Sequence, residues 1–158
     1  MRLLPTLFAA LALIPAAAAA QPIGPVAEVV VRLDDELLNR RQVIGEREAR
    51  ILTEALRQAV AAKVGAPTTG GGRLELTIED ARPNRPTQTE LAARPGLSAI
   101  HSFGVGGAEV TGVYIAPDGR RTPLNYRWYG NDAFMAQAYS EWHEANVAFR
   151  RFAQRLAG

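Results

Sequence analysis

The chain has 158 residues, no cysteine, and 18 Lys and Arg residues against 16 Asp and Glu residues, which gives a formal net charge of +2 at pH 7. The absence of cysteine excludes disulfides, thiolate metal sites and cysteine nucleophiles. Nearly balanced charge without a basic tail argues against nucleic-acid binding. The length suits one domain with its own hydrophobic core.

The N-terminal stretch has the pattern of a secretory signal peptide. Arg2 precedes an apolar run that ends in a string of alanines before Gln21, and the small residues match a cleavage site near Ala20. We expect residues 1–20 to be a signal peptide and residues 21–158 to form a single α+β domain in the periplasm or outside the cell. No cysteine offers a lipidation site, and we expect no transmembrane segment in the mature chain.

The first part of the mature chain predicts a strand, a helix and a second strand. Residues 26–33 form a β-branched run bounded by prolines and an acidic trio, Asp34-Asp35-Glu36, which predicts a strand. Adjacent carboxylates at a strand end point in different directions, so a solvated strand end is favoured over a metal site. Residues 46–64 have a helical apolar period with Gly65 as the C-cap, and residues 73–80 alternate like a half-buried strand.

A long connection rich in proline and glycine follows the second strand. Three prolines fall in residues 81–99, and within them residues 87–93 predict a short helix capped by Thr87 with Glu90 at its third position. The glycines of residues 104–107 lead into a strand rather than a helix, so they favour a bulge or a close backbone approach over a phosphate-binding loop.

Residues 102–130 predict a β-hairpin. Ala116-Pro117-Asp118-Gly119 has proline and glycine at the positions of a bulged three-residue loop. Counting outward from that turn predicts one apolar face and one polar face. The apolar pairs are Gly112 with Leu124, Val110 with Tyr126 and Ala108 with Trp128; the polar pairs are Glu109 with Arg127 and Thr111 with Asn125.

A helical turn capped by Asn131-Asp132 and a terminal amphipathic helix from about Ser140 complete the predicted elements. The order is β-α-β-loop-β-β-α. This order predicts an α+β fold, in which a small mixed or antiparallel sheet of about four strands has two helices packed on one face. The first helix acts as a crossover, so the first two strands can be parallel.

Chemistry-bearing residues are few. His101 and His143 are the only histidines, and neither has a second histidine at a helical spacing, so we expect no metal site and no cofactor. Ser98 and Ser102 lie near His101 but not in a nucleophile-elbow motif. A small periplasmic hydrolase or another enzyme centred on His101 is the alternative to a binding function.

Binding residues are predicted in and around the long connection, because connections of that length in compact domains are often functional. The competing interpretation is an irregular segment that covers the sheet edge. Arginines supply charged donors, and the strand after the connection is a candidate free edge for strand addition. The candidate binding residues are Arg82, Arg85, Arg94, Phe103, Arg127 and Tyr129.

Three motifs carry a resemblance to a known group. They are the Gly106-Gly107-Ala108-Glu109-Val110 start of the hairpin, Tyr126-Arg127-Trp128 in its second strand, and the terminal helix at residues 148–157. With the signal peptide, they resemble an uncharacterised group of small exported proteobacterial proteins without an assigned activity. At the level of fold, the layout is similar to small accessory domains of envelope assembly and transport. The resemblance implies a non-catalytic periplasmic binding or envelope-accessory protein with a protein or peptide partner.

Overall fold

The computed structural model describes residues 23–40 and 43–158. The predicted signal peptide at residues 1–20 lies outside them and stays a prediction. The elements in chain order are β1 (Val26–Leu33), α1 (Asp35–Asn39), α2 (Glu46–Val64), β2 (Gly72–Arg82), α3 (Gln88–Ala93), β3 (Gly107–Ile115), β4 (Arg121–Tyr129), α4 (Ala133–Ala136) and α5 (His143–Ala157).

The strands form one mixed sheet in the order β1-β2-β3-β4. β1 is parallel to β2, and the other two pairs are antiparallel. The long helices α2 and α5 pack against each other and against the same face of the sheet, which confirms the predicted α+β architecture. Within the described ranges, no helix is long and apolar enough to cross a membrane.

The hairpin has the predicted register. The N–H of Ala116 donates to the carbonyl of Arg120 at 2.8 Å, and Gly119 has a φ of +84°, a left-handed conformation that glycine adopts without strain. All five predicted side-chain pairs occur between β3 and β4. Local turn chemistry therefore sets the faces of half the sheet.

The core lies between the sheet and the two long helices. Leu52, Leu56 and Val60 project from α2 at four-residue spacing, and Phe149 and Phe152 project from α5; all five are buried. The sheet contributes alternate apolar residues of β2 and β3. Buried residues among these include Leu74, Leu76, Ile78, Ala108 and Val110.

Three expectations need correction. The acidic trio is not a plain strand end: Asp34 caps the short helix α1, with its carboxylate accepting from the N–H of Glu36 at 2.8 Å. The terminal helix begins at His143, after a capping turn, and not at about Ser140. β3 pairs on both sides, so the strand after the long connection offers no free edge.

Trp128 also differs from expectation. It faces the core side opposite Ala108 but is only half-buried, because β4 is an edge strand and the guanidinium of Arg151 lies 4.4 Å from its ring centroid. The cation covers the ring in place of apolar side chains.

We expect Trp128→Ala to lower the free energy of unfolding by roughly 2 kcal/mol, less than the roughly 3–5 kcal/mol lost with a fully buried aromatic ring. Arg127→Ala, on the polar face, should cost under about 1 kcal/mol. Urea denaturation measures both losses. A larger loss for Arg127→Ala would contradict the assigned faces.

Candidate functional site

A buried polar network holds the long connection against the start of α5. One carboxylate oxygen of Glu144 accepts from the Asn84 side-chain amide at 2.7 Å and from the N–H of Gly106 at 2.6 Å. In return, the N–H of Glu144 donates to the Asn84 side-chain oxygen at 2.9 Å. Both side chains are buried, so each of these bonds is protected from water.

Glycines make room for this network, which we call the Asn84–Glu144 lock. A Cβ on Gly130 would lie 1.7 Å from a carboxylate oxygen of Glu144, and one on Gly106 would lie 2.7 Å from the carbonyl of Arg82. The Asn84 amide also donates to the carbonyl of Gly104 at 3.1 Å. The glycine run therefore permits close backbone approach, as the sequence predicts.

Arg85 ties the connection to the segment between β4 and α5. Its guanidinium donates to the carbonyls of Tyr139 at 2.8 Å, Ala99 at 3.1 Å and Ile100 at 2.8 Å, and also to that of Gln137. These bonds use Nε and both terminal nitrogens of Arg85. This candidate binding residue therefore holds backbone segments together. The same bonds also place residues 99–100 beside residues 137–139.

The helix α3 is fixed to α2 by a second buried carboxylate. Glu48 accepts from the hydroxyl of Thr89 at 2.8 Å and from the N–H of Gly45 at 3.0 Å. Burial raises the pKa of Glu48, but these bonds and the one from Arg47 outweigh it and leave that pKa below its usual value. The predicted capping box of Thr87 and Glu90 is present.

The long connection and the segment that begins with α4, which Arg85 joins through their carbonyls, expose four large apolar side chains that we call the loop patch. Ile100 is 73% exposed and Phe103 44% on the long connection, while Phe134 is 74% and Met135 47% exposed on α4. A shallow groove of about 240 Å³ adjoins Phe103 and is also lined by Glu90, Arg94 and Leu97. Phe103 is among the binding residues predicted from the sequence, and Ile100, Phe134 and Met135 are not.

A second cluster, the sheet-face cluster, lies at the same end of the sheet, on the face opposite the long helices. The Tyr129 hydroxyl donates to Asp80 at 2.6 Å, Arg82 pairs with Asp80 at 3.0 Å, and Arg40 pairs with the same carboxylate. The Arg82 guanidinium lies 4.5 Å from the centroid of the Tyr129 ring. Arg127 pairs with Glu109 at 2.7 Å beside it.

The sheet-face cluster shifts the pKa of two of its members. Burial raises the pKa of Asp80, but the Tyr129 hydroxyl and the charges of Arg40 and Arg82 lower this pKa by a larger amount, so that it lies below its usual value. Burial and the bond to Asp80 raise the pKa of Tyr129 to about 12. At neutral pH, the charged carboxylate of Asp80 and the neutral hydroxyl of Tyr129 therefore stabilise each other.

The candidate binding residues thus fall into three environments at one end of the sheet. Arg82, Arg127 and Tyr129 belong to the sheet face, Arg94 and Phe103 line the groove beside the loop patch, and Arg85 is half-buried with its guanidinium bonded to backbone carbonyls. Their role in binding stays a prediction.

The histidines have ordinary environments. His143 stacks on Tyr139 with ring centroids 4.1 Å apart. The Nδ1 atom of His101 lies 3.2 Å from the Ser98 hydroxyl, which also accepts from the N–H groups of Ile100 and His101. That hydroxyl caps a turn on an exposed surface. No group of three or more His, Asp or Glu residues that could hold a metal ion occurs in residues 23–40 and 43–158.

Replacing Asn84 tests the lock. We expect Asn84→Ala to cost roughly 2–4 kcal/mol of unfolding free energy, because it leaves a buried carboxylate with fewer donors. Hydrogen exchange at Gly104 and Gly106 should accelerate. Asn125→Ala, an exposed amide on β4, should cost under about 0.5 kcal/mol. Equal losses in thermal unfolding would argue against the lock.

The tyrosine titration tests the sheet-face cluster. The tyrosinate absorbance of Tyr129, taken as the difference from Tyr129→Phe, should titrate near 12. Asp80→Asn should move this pKa toward 10.0, the usual value for tyrosine, because the neighbouring negative charge is lost. The stability that Tyr129 contributes is present below pH 10.0 and is lost as pH rises through about 12. Glu75→Gln is the control and should leave the titration unchanged.

Comparison with known proteins found no matching family model and no matching curated protein. Among solved structures, the chain is similar to a minor lipoprotein from Acinetobacter baumannii, with 11% identity and a TM-score of 0.29. The match covers 83% of this chain and 89% of that chain. The function of this chain therefore has to be inferred from its own residues.

Proposed function

We propose that this chain is a non-catalytic binding protein that acts outside the cytoplasm and captures a polypeptide partner of the cell envelope through the loop patch. The observation that carries the proposal is the exposure of Ile100, Phe103, Phe134 and Met135 on two adjoining segments. Exposed apolar groups clustered on one surface mark interaction sites.

The partner we propose is a polypeptide because of the composition of this surface. Phenylalanine, methionine and arginine are enriched in protein interfaces, and here Arg94 lines the groove that adjoins Phe103. The Asn84–Glu144 lock and Arg85 fix both segments, so little conformational entropy is lost when a partner binds. A groove next to a large apolar group suits one side chain of an extended peptide.

The location outside the cytoplasm rests on the sequence. Arg2, the apolar run and the alanines before Gln21 form the pattern of an exported protein. An absence of cysteine is compatible with an oxidising compartment, where no free thiol needs protection.

A peptide-display selection tests the proposed surface. Random peptides selected on the wild-type protein should bind it and lose at least about tenfold in affinity to the double variant Ile100→Ser with Phe134→Ser. Both side chains are highly exposed, so the thermal transition should stay unchanged. Val113→Ser, a half-exposed apolar residue on the uncovered sheet face, is the matched control and should bind like the wild type.

Two results would contradict this proposal. One is recovery of peptides that bind wild type and double variant equally, which places the site elsewhere. The other is flotation of the wild-type protein, but not of the double variant, with vesicles of phosphatidylethanolamine and phosphatidylglycerol, which would make the partner a lipid surface.

The alternative is a small hydrolase centred on His101. The contact between His101 and the Ser98 hydroxyl favours it, since a serine nucleophile needs a neighbouring base. A screen of the purified protein with ester, phosphate and glycoside substrates tests it. Turnover that His101→Ala abolishes would replace the binding proposal, and we expect no such turnover.

A further inference from the structure

The two edge strands of the sheet are protected to different degrees. β4 carries Pro123, which has no N–H, near its start, and the exposed arginines Arg121 and Arg127. Prolines and charges on an edge strand discourage pairing with another chain. β1 contains no proline, and Val29, Val30 and Val31 form an unbroken β-branched run. Residues of this kind favour strand pairing.

Among the residues that the structure describes, the backbone of β1 has unpaired groups along its outer edge. Leu33 is opposite Ile78, and the N–H of Asp34 donates to the carbonyl of Ile78 at 3.0 Å. Because alternate residues bond to the same neighbour, Val30 and Arg32 bond toward β2, while the N–H and C=O groups of Val29 and Val31 point away. The short helix α1 contacts β2 beyond the end of β1. Ala27, Glu28 and Arg32 are exposed, consistent with an uncovered edge.

We propose that β1 is the site at which a second copy of this chain pairs, antiparallel and centred on Val30, to join two sheets into one. In this register Val30 meets its own copy, Val29 meets Val31, and Glu28 meets Arg32 on both sides of the two-fold axis. Val29 and Val31 are the residues with outward backbone groups, so they exchange the hydrogen bonds. The strand is therefore self-complementary, as a two-fold interface requires.

Charge favours this register over its neighbours. Arg32 has no ion-pair partner in the part of the chain that the structure describes, and Glu28 has only a 3.5 Å contact with Arg73, which also pairs with Glu75 at 3.0 Å. In the proposed dimer, each Arg32 gains the Glu28 of the other copy on the polar face. A shift of two residues would lose both pairs, and a shift of one would turn each side chain to the wrong face.

A charge-reversal series tests the register. The purified wild-type protein should be dimeric in sedimentation velocity over a micromolar concentration series. Glu28→Arg and Arg32→Glu should each weaken the dimer roughly tenfold or more, because each creates two like-charge contacts. The double reversal should restore wild-type affinity. Arg121→Glu, on the other edge strand, is the matched control and should not alter the dimer.

A cysteine cross-link gives an independent readout. The chain has no cysteine, so Val30→Cys introduces one thiol per copy, on the proposed axis. A pair of residues without mutual hydrogen bonds has Cα atoms about 4.5 Å apart, which a disulfide can bridge. Mild oxidation should give a covalent dimer with Val30→Cys and none with Arg121→Cys.

Several outcomes would overturn the proposal. They are a monomeric wild type together with no cross-link at Val30→Cys, a dimer that survives both single reversals, or a double reversal that fails to restore it. Circular dichroism of each variant shows whether it is folded. If a charge-reversal variant is unfolded, the Val30→Cys cross-link tests the interface in its place. If the wild type is monomeric and the edge instead pairs with a strand of another protein, the proposal of a second copy is wrong.

Discussion

The end of the sheet that carries the long connection depends on one constraint, the buried carboxylate of Glu144. A carboxylate removed from water has to be matched by donors, and here the Asn84 amide and the N–H of Gly106 supply them. Those donors belong to the segment between β2 and β3, while Gly130 must stay without a side chain to leave room for the carboxylate. One charge therefore couples the end of β2, the start of β3, the end of β4 and the first turn of α5.

This coupling explains how the protein keeps large apolar groups in water. A mobile connection would fold Phe103 back onto the core, since burial of such a side chain is favourable by roughly 1.5–3 kcal/mol. The lock and the four carbonyl contacts of Arg85 hold the two segments by their backbones instead. Phe134 and Ile100 consequently remain exposed on two segments that Arg85 joins, which is the arrangement of a preorganised binding surface.

The sequence predicts those features of the fold that depend only on residues close together in the chain. The turn at Pro117 to Gly119 sets the hairpin register, and the capping box at Thr87 sets α3, because each requires only a few consecutive residues. The lock joins Asn84 and Glu144 across sixty residues of sequence, and no local pattern pairs them. Strand order is equally non-local, and for that reason the position of β3 inside the sheet and the half-burial of Trp128 on the edge strand were not foreseen.

The strand directions relate the loop patch to the β1 edge. β1 is parallel to β2, and two antiparallel steps make β4 run the same way, so both segments of the patch lie at the end of the sheet where β1 finishes. Two copies joined antiparallel through β1 would hold their patches at opposite ends of one continuous sheet. The two patches of such a dimer could not bind one short peptide at the same time. Its geometry therefore suits the binding of two separate partners and not a higher affinity for one.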